Sequence, residues 1–300
     1  MKISIILPTY NRAELFLKRA IDSVVNQSYE DWELIIVDNN STDNTKDLVD
    51  SYKNNQIYFY DISNNGNIAK SRNLGISKAK GDFIAFLDSD DYWELDKLKK
   101  CTAILKNNLD YDGVCHAEYW LYPNKNKIIK KYGPERYFSY TDLLVRGNSV
   151  SLSAMIISKQ NIVDAKSFSE NKEMITAEDY DLWIKLAKNN THIIFTEEPL
   201  GYYQIHNTSE SSNISRNTNA IISVIKSHLR DQKKMLSIAL ANCWKNSGKQ
   251  FYLNYSNYEA YKSYLKSIRY NYMDLKVYLL LLTTLIPSKI YNYFLEKKNI

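Results

Sequence analysis

The chain has 300 residues and is 44% hydrophobic, 24% charged and 13% aromatic, which excludes a disordered, collagen-like or disulfide-framework protein. That length allows one large α/β domain, or a domain with an appendage. The net charge of +5 is by itself too small to indicate a nucleic-acid partner, and none is expected.

Apolar runs and helical patterns alternate from the start. Ile3–Leu7 reads as a buried strand ending at Pro8, and it is too short to be a signal peptide. Ala13–Val25 has helical periodicity, with Asn11 as cap and Glu14 three residues on in capping-box spacing. Trp32–Val37 is a strand, Asp43–Tyr52 a helix, Ile57–Tyr60 a strand, Ile68–Ala79 a helix and Phe83–Leu87 a strand. Such alternation with short connections predicts a parallel, doubly wound sheet whose strands are buried on both faces.

Beyond Asp90 the order loosens. Glu94–Leu105 is helical, Asp112–Tyr122 strand-like and Asn124–Lys131 a polar loop. Ser151–Ile157 is a strand and Asp179–Ala187 a helix, and His192–Thr196 and Tyr202–Ile205 are two short strands. From about Arg216 the text is helical and basic, which predicts a boundary near 215 and two parts, 1–215 and 216–300.

The charge follows that division closely. Residues 1–225 hold 26 Lys and Arg against 30 Asp and Glu, whereas residues 226–300 hold 13 against 4, a net of +9. Residues 277–286 are strongly apolar but too few to span a bilayer, which takes about 20. The three cysteines, Cys101, Cys115 and Cys243, are far apart and odd in number, so a reducing compartment fits.

Four segments fall just past strand ends, where a parallel sheet presents its functional edge: Pro8–Arg12, Asp38–Asp43, Ser71–Asn73 and Asp88–Asp91. Neither a Gly-x-Gly-x-x-Gly turn nor a Walker loop is present. The carboxylates of Asp88 and Asp90 repel each other unless a cation sits beside them. A hard divalent ion shared with phosphate oxygens would supply that charge. The structural alternative is capping, which suits Asp91 with Glu94 three residues on. Asp38 suits either a nucleotide base N–H or a plain turn. Arg72 suits a diphosphate, an ion pair with Asp88 or Asp90, or a solvated helix face. Thr176–Trp183 opens a helix with three carboxylates, either as dipole-matched first-turn acids or with one as a general base for a sugar hydroxyl. His206 is either a structural histidine or a contact to metal or diphosphate.

Taken in order, five segments resemble the family 2 inverting glycosyltransferases of the GT-A fold, as found in bacterial surface-polysaccharide and O-antigen synthesis. They are Ile5–Asn11, Ile36–Asp43, Ser71–Gly75, Phe86–Asp91 and Glu178–Trp183, and the resemblance covers about residues 1–210. It implies an α/β, Rossmann-like, mostly parallel central sheet flanked by helices, with a C-terminal helical extension. It also implies roles. Pro8, Thr9, Tyr10, Asn11 and Asp38 would line a uridine pocket. Arg72, Asp88 and Ser89 would hold the ribose, diphosphate or donor sugar. Asp90 and His206 would meet a divalent metal, Mn or Mg, and Asp179 would be the general base. Gln204 stands where Arg is frequent in such proteins, which weakens a phosphate contact there. Asn39 replaces a frequent second Asp after Asp38.

The implied reaction moves a hexose or N-acetylhexosamine from a UDP-sugar to a saccharide acceptor, with a polyprenyl-diphosphate-linked one favoured. Tyr119, Trp120, Tyr122, Tyr137, Phe138 and Tyr140 are either sugar-stacking or core aromatics. The basic tail, with the 277–286 run and Tyr291, Tyr293 and Phe294 beyond, suits an anionic membrane surface. The alternative is a solvated bundle that packs or dimerises. The expected location is the cytoplasmic face of the inner membrane, as a peripheral protein. Two other functions fit the same residues: a polyprenyl-phosphate monosaccharide synthase and a non-catalytic nucleotide-sugar-binding scaffold.

Overall fold

The computed structural model of the protein describes residues 1–123, 126–206 and 213–286. In chain order it begins with β1 (Ile3–Thr9), a π-helical turn (Ala13–Leu17) running into α1 (Lys18–Val25), β2 (Trp32–Asp38), α2 (Thr45–Ser51), β3 (Ile57–Asp61) and α3 (Ile68–Lys78). There follow β4 (Phe83–Phe86), β5 (Tyr92–Trp93), α4 (Lys97–Asn107), β6 (Gly113–Leu121), β7 (Lys127–Lys130), α5 (Tyr140–Arg146), β8 (Met155–Ser158) and α6 (Lys159–Asp164). The chain goes on through α7 (Glu178–Lys188), β9 (Ile193–Gln204), α8 (Ile214–His228), α9 (Lys233–Leu253), α10 (Asn257–Tyr270) and α11 (Leu275–Thr283). Two compact units result: Met1–Tyr140 with Ser149–Ser209, and Thr141–Asn148 with Glu210–Ile300.

The first unit is built on one sheet of order β3-β2-β1-β4-β8-β6-β9-β5, with β7 paired to β6. Strands β3, β2, β1 and β4 are parallel, β8 runs against them, and β6 and β9 are again parallel. Every residue of β1 and β2 is buried, as strands covered on both faces require. Ile3, Ile5 and Leu7 share a core with Leu17, Ile21 and Val24 from the α1 side and with Leu98, Cys101 and Leu105 of α4. Ile6 points to the opposite face, where α3 lies so close that a Cβ on Gly75 would sit 2.6 Å from the Ile6 side chain. The register pairs Thr9 with Asp38, and Asp38 with Asp61, so three strands end level at one edge.

Several local expectations are corrected. Asn11 does not cap the first helix; its backbone is left-handed (φ 49°) and its side chain accepts the Thr42 N–H at 2.8 Å. Asp91 is not a helix cap either. It is 2% exposed, β5 follows it, and α4 opens only at Lys97. Part of the expected polar loop at 124–131 is strand β7, because Lys127–Lys130 can pair along β6 while their side chains stay in water; Asn124 and Lys125 lie outside the described residues. The two late short strands are one, β9, with register shifts where Ala117 meets Pro199.

The second unit is helical. Tyr252, Ala260, Tyr264 and Val277 form its core cluster, and Gly248 lets the Tyr264 ring approach to where a Cβ would stand 2.5 Å away. Polar contacts between helices add to it: Thr218 Oγ1 donates to Ser247 Oγ at 3.0 Å and Ser267 Oγ to the Ala241 carbonyl at 2.7 Å. Lys245 pairs with Asp274 at 2.6 Å. Helix α11 is apolar on both sides. Val277 is fully buried, whereas Leu275, Leu279 and Leu282 are 75%, 67% and 60% exposed. No helix among the described residues is long and apolar enough to cross a membrane. Tyr291, Tyr293 and Phe294 lie outside the described residues.

Candidate active site at the sheet edge

All the sequence-predicted site residues belong to the first unit, and they gather into three hydrogen-bonded groups. The first lies at the ends of β1 and β2. Pro8 and Thr9 are buried in β1, Tyr10 is exposed, and the Asn11 N–H donates to Ser41 Oγ at 2.8 Å. Asp38 is buried, with the Ser41 N–H donating to its Oδ2 at 2.8 Å and the Ser41 hydroxyl to its Oδ1. A carboxylate has about four lone-pair sites, so Asp38 keeps accepting capacity. Thr9 Oγ1 is buried without a hydrogen-bond partner among the described residues. Asp43 tightens the same loop by accepting from Ala13 N at 3.0 Å and Thr45 Oγ1 at 2.6 Å. Burial disfavours its charge, but these bonds outweigh that and hold its carboxyl below the usual range.

The second group centres on Arg72, carried on the inward stripe of α3 with Ala69 and Ile76. Its guanidinium donates to Asp88 Oδ1 at 2.8 Å and to Glu178 Oε1 at 2.6 Å. It also lies over Phe168, 5.5 Å from the ring centre. Arg72 is thus paired with two acids from different elements, and Asp88 Oδ2 has no hydrogen-bond partner among the described residues. Glu178 and Asp179 open α7. Glu178 folds back to accept the N–H of Thr176, whose φ is 84°, at 2.8 Å. Asp179 Oδ1 accepts the Tyr180 N–H at 2.7 Å. Burial, then the charge of Glu178, pushes the Asp179 carboxyl up to about 7, against the pull of Arg72.

The third group follows β4 and β9. Asp90 Oδ2 and His206 Nε2 are 2.8 Å apart, and the His206 ring stacks on Phe16 at 5.0 Å. Ser89 is buried beside them in sequence. Ser153 Oγ joins the second and third groups: it accepts the Asp88 N–H at 3.2 Å and donates to Asp91 Oδ2 at 2.6 Å. Asp91 also accepts the Gln204 N–H at 3.1 Å, which ties β9 to the acidic turn. Burial, with Asp90, Glu118 and Asp88 nearby, pushes the Asp91 carboxyl well up. The first group connects to the second through Asn64, which donates from its backbone to Asn39 Oδ1 and from Nδ2 to Ser71 Oγ, both at 2.8 Å.

Asp90 and His206 are two oxygen and nitrogen donors in contact. Among the described residues no group of three or more His, Cys, Asp or Glu side chains stands together to hold an ion. A hard divalent cation completed by phosphate oxygens and water fits two protein donors, since Mg²⁺ commonly uses one or two carboxylates plus substrate.

The aromatics mostly spend their faces on one another. Tyr92 stacks on Tyr202 at 4.3 Å, Tyr202 on Tyr119 at 5.0 Å, and Trp120 on Tyr203 at 5.1 Å. Phe138 is a core residue against Phe195.

A family model, "Glycosyl transferase family 2", matches residues 4–154, just over half of the chain. The chain belongs to glycosyltransferase family 2. It is 32% identical over 213 residues to the Escherichia coli UDP-Glc:alpha-D-GlcNAc-diphosphoundecaprenol beta-1,3-glucosyltransferase WfgD, covering 70% of this chain and 80% of that one. The GT-A fold is shared with Staphylococcus aureus TarS 1-349 in complex with UDP-GlcNAc, at a TM-score of 0.65 and 19% identity over 96% and 88% of the two chains. It is shared too with the Pyrobaculum calidifontis mannosyltransferase PcManGT in complex with GDP-Man and Mn²⁺, at 0.63 and 15% over 97% and 82%. The sequence reading of family and fold is borne out.

Two neighbours of the site were not singled out from sequence. Glu178 was grouped with its two acidic neighbours, and only its 106-residue separation from Arg72 on closure gives it an ion pair. Arg19 gave no sequence signal beyond a basic residue on a helix.

Proposed function

We propose that this glycosyltransferase is an inverting enzyme that transfers a hexose or N-acetylhexosamine from a UDP-sugar to a hydroxyl of a polyprenyl-diphosphate-linked saccharide, in surface-polysaccharide synthesis. The observation that carries the reading is Asp179: a carboxyl raised to about 7, beside an Arg72 already paired by two acids. A general base works best when its pKa lies near the working pH. Burial and the neighbouring Glu178 charge favour the protonated form of Asp179, which suits it to take a proton.

The chain's residues then divide the work. Thr9 Oγ1 and the spare lone pairs of Asp38 meet the uridine, with Pro8, Tyr10 and Asn11 around it. Asp88 Oδ2 accepts sugar or ribose hydroxyls while Arg72 fixes its other oxygen, and Ser89 lies between the two carboxylates. Asp179 removes the proton of the acceptor hydroxyl. That oxygen bonds to the anomeric carbon from the face opposite the nucleotide, and the carbon–oxygen bond to the diphosphate breaks with its electron pair leaving on UDP. Configuration inverts. Asp90 and His206 would hold a Mn²⁺ or Mg²⁺ ion, which when bound neutralises charge on the departing diphosphate. The UDP-GlcNAc and Mn²⁺ complexes of the fold neighbours and the lipid-linked acceptor named for WfgD support this reading.

The acceptor would be met at an anionic membrane surface through the second unit. Exposed Leu275, Leu279 and Leu282 recur at helical spacing on α11, and residues 226–300 carry a net +9. Apolar burial plus attraction of cations suits an interfacial helix.

The test is UDP release by the full chain with a panel of UDP-sugars and polyprenyl-diphosphate-GlcNAc, with and without EDTA, followed by the anomeric configuration of the product. Asp179→Asn should lower turnover by ~10²–10⁴-fold and leave UDP-sugar binding nearly intact. A variant retaining more than about a tenth of wild-type turnover would remove Asp179 from the base role.

A further inference from the structure

Among the described residues, one cation at the Asp90–His206 corner is held without an acid. Arg19 lies at the start of α1, and its Nη2 is 3.3 Å from the Asp90 carbonyl oxygen and 3.4 Å from Gln204 Oε1. Both acceptors are neutral, and both distances are long for a charged donor. Its Nε is buried without a hydrogen-bond partner among the described residues. Among the described residues the guanidinium forms no ion pair. A guanidinium has five N–H donors, so most of this one's capacity is unspent. Desolvating a cation without a counter-charge is costly, so something other than an acid must hold it there.

A column of rings holds it. The Arg19 guanidinium lies over Tyr92, 4.0 Å from the ring centre. Tyr92 stacks on Tyr202 with 6° between planes, Tyr202 on Tyr119, and Lys127 closes the far end 3.4 Å from the Tyr119 ring centre. The column therefore draws on β5, β9, β6 and β7, and it fixes the guanidinium face while leaving N–H groups at its edge. Cation–π contact orients an arginine without neutralising it.

We propose that Arg19 is a binding residue for the diphosphate of a nucleoside diphosphate or its sugar, with its edge N–H groups donating to phosphate oxygens beside Asp90 and His206. The inference rests on the donor reading above. The Gln204 amide oxygen steadies the guanidinium there. As the glycosidic bond to the diphosphate breaks, negative charge grows on the phosphate oxygens and these contacts strengthen. Arg19 is thus expected to act on both UDP affinity and turnover.

The experiment is titration calorimetry of UDP and of uridine into the full chain with Mg²⁺ present, using wild type, Arg19→Gln and Arg19→Lys, with thermal melts of each. Arg19→Gln should weaken UDP on the order of tenfold to a hundredfold, leave any uridine binding unchanged and leave the melting midpoint near that of wild type. Arg19→Lys should fall between, since a point charge replaces a planar fork. If Arg19→Gln does not fold, Arg19→Lys carries the test by the same comparison. UDP affinity within threefold of wild type in the folded variants would overturn the proposal and leave the donor reading standing. A wild-type chain that does not bind UDP would overturn both. An equal loss for UDP and uridine, with a lowered midpoint, would make Arg19 structural only.

Discussion

Replacing Arg72 with Leu would remove the cation paired with both Asp88 and Glu178. The Arg72 and Glu178 side chains are 5% and 8% exposed, so the change strands a buried carboxylate. Breaking a buried pair from one side costs about 3–5 kcal/mol. Asp88 adds little, because its side chain is 31% exposed and water screens it. The first unit has about 200 residues, a size at which each kcal/mol moves the midpoint by ~2–4 °C. The midpoint of that unit should therefore fall by roughly 6–20 °C at pH 7. Scanning calorimetry of wild type and Arg72→Leu at pH 7 measures it. Arg72→Lys should recover part of the loss, because one ammonium replaces a fork that reaches two acids. A fall of less than ~2 °C would refute the reasoning.

Three further outcomes are expected. With Asp179 at about 7, kcat/KM should rise with pH through that value and be about tenfold lower at pH 6 than on the plateau, the base being needed without its proton; a profile flat from pH 5.5 to 8 would argue against it. The same raised carboxyl contributes stability that is present below its unfolded value and lost as pH rises through about 7, so Asp179→Asn should flatten that part of the stability curve. Leu279→Asp with Leu282→Asp should cut sedimentation with anionic vesicles at low salt by tenfold or more without altering the helical circular dichroism signal; equal sedimentation of variant and wild type would count against contact through α11.

The sheet was legible because its strands are continuous apolar runs, and buried parallel strands have no other way to be written. The acidic turn after β4 and the Asp38 loop were legible because they follow strand ends in the order the family uses. Asp91 was misread because its spacing to Glu94 satisfies a local capping rule, while the contacts that claim it come from Ser153 and Gln204, 62 and 113 residues away. Glu178 and Asp179 look alike in sequence. Only closure of α7 onto α3 gives one of them to Arg72 and leaves the other raised toward neutrality. Arg19 was invisible for the same reason, since its partners lie 71 and 185 residues away.

Helix α5 has a consequence for how the chain is made. Its residues from Thr141 belong to the second unit, and Asn242 Nδ2 donates to the Val145 carbonyl at 2.9 Å, almost a hundred residues later. During synthesis from the N-terminus, α5 leaves the ribosome long before α9 exists, while β8, α7 and β9 of the first unit are still to come. Leu143 and Leu144, buried in the finished protein, must wait in water or under a chaperone until then. A gene cut after residue 209 would leave them waiting permanently. Shortened versions of this protein should therefore aggregate even though the sheet and every site residue are retained.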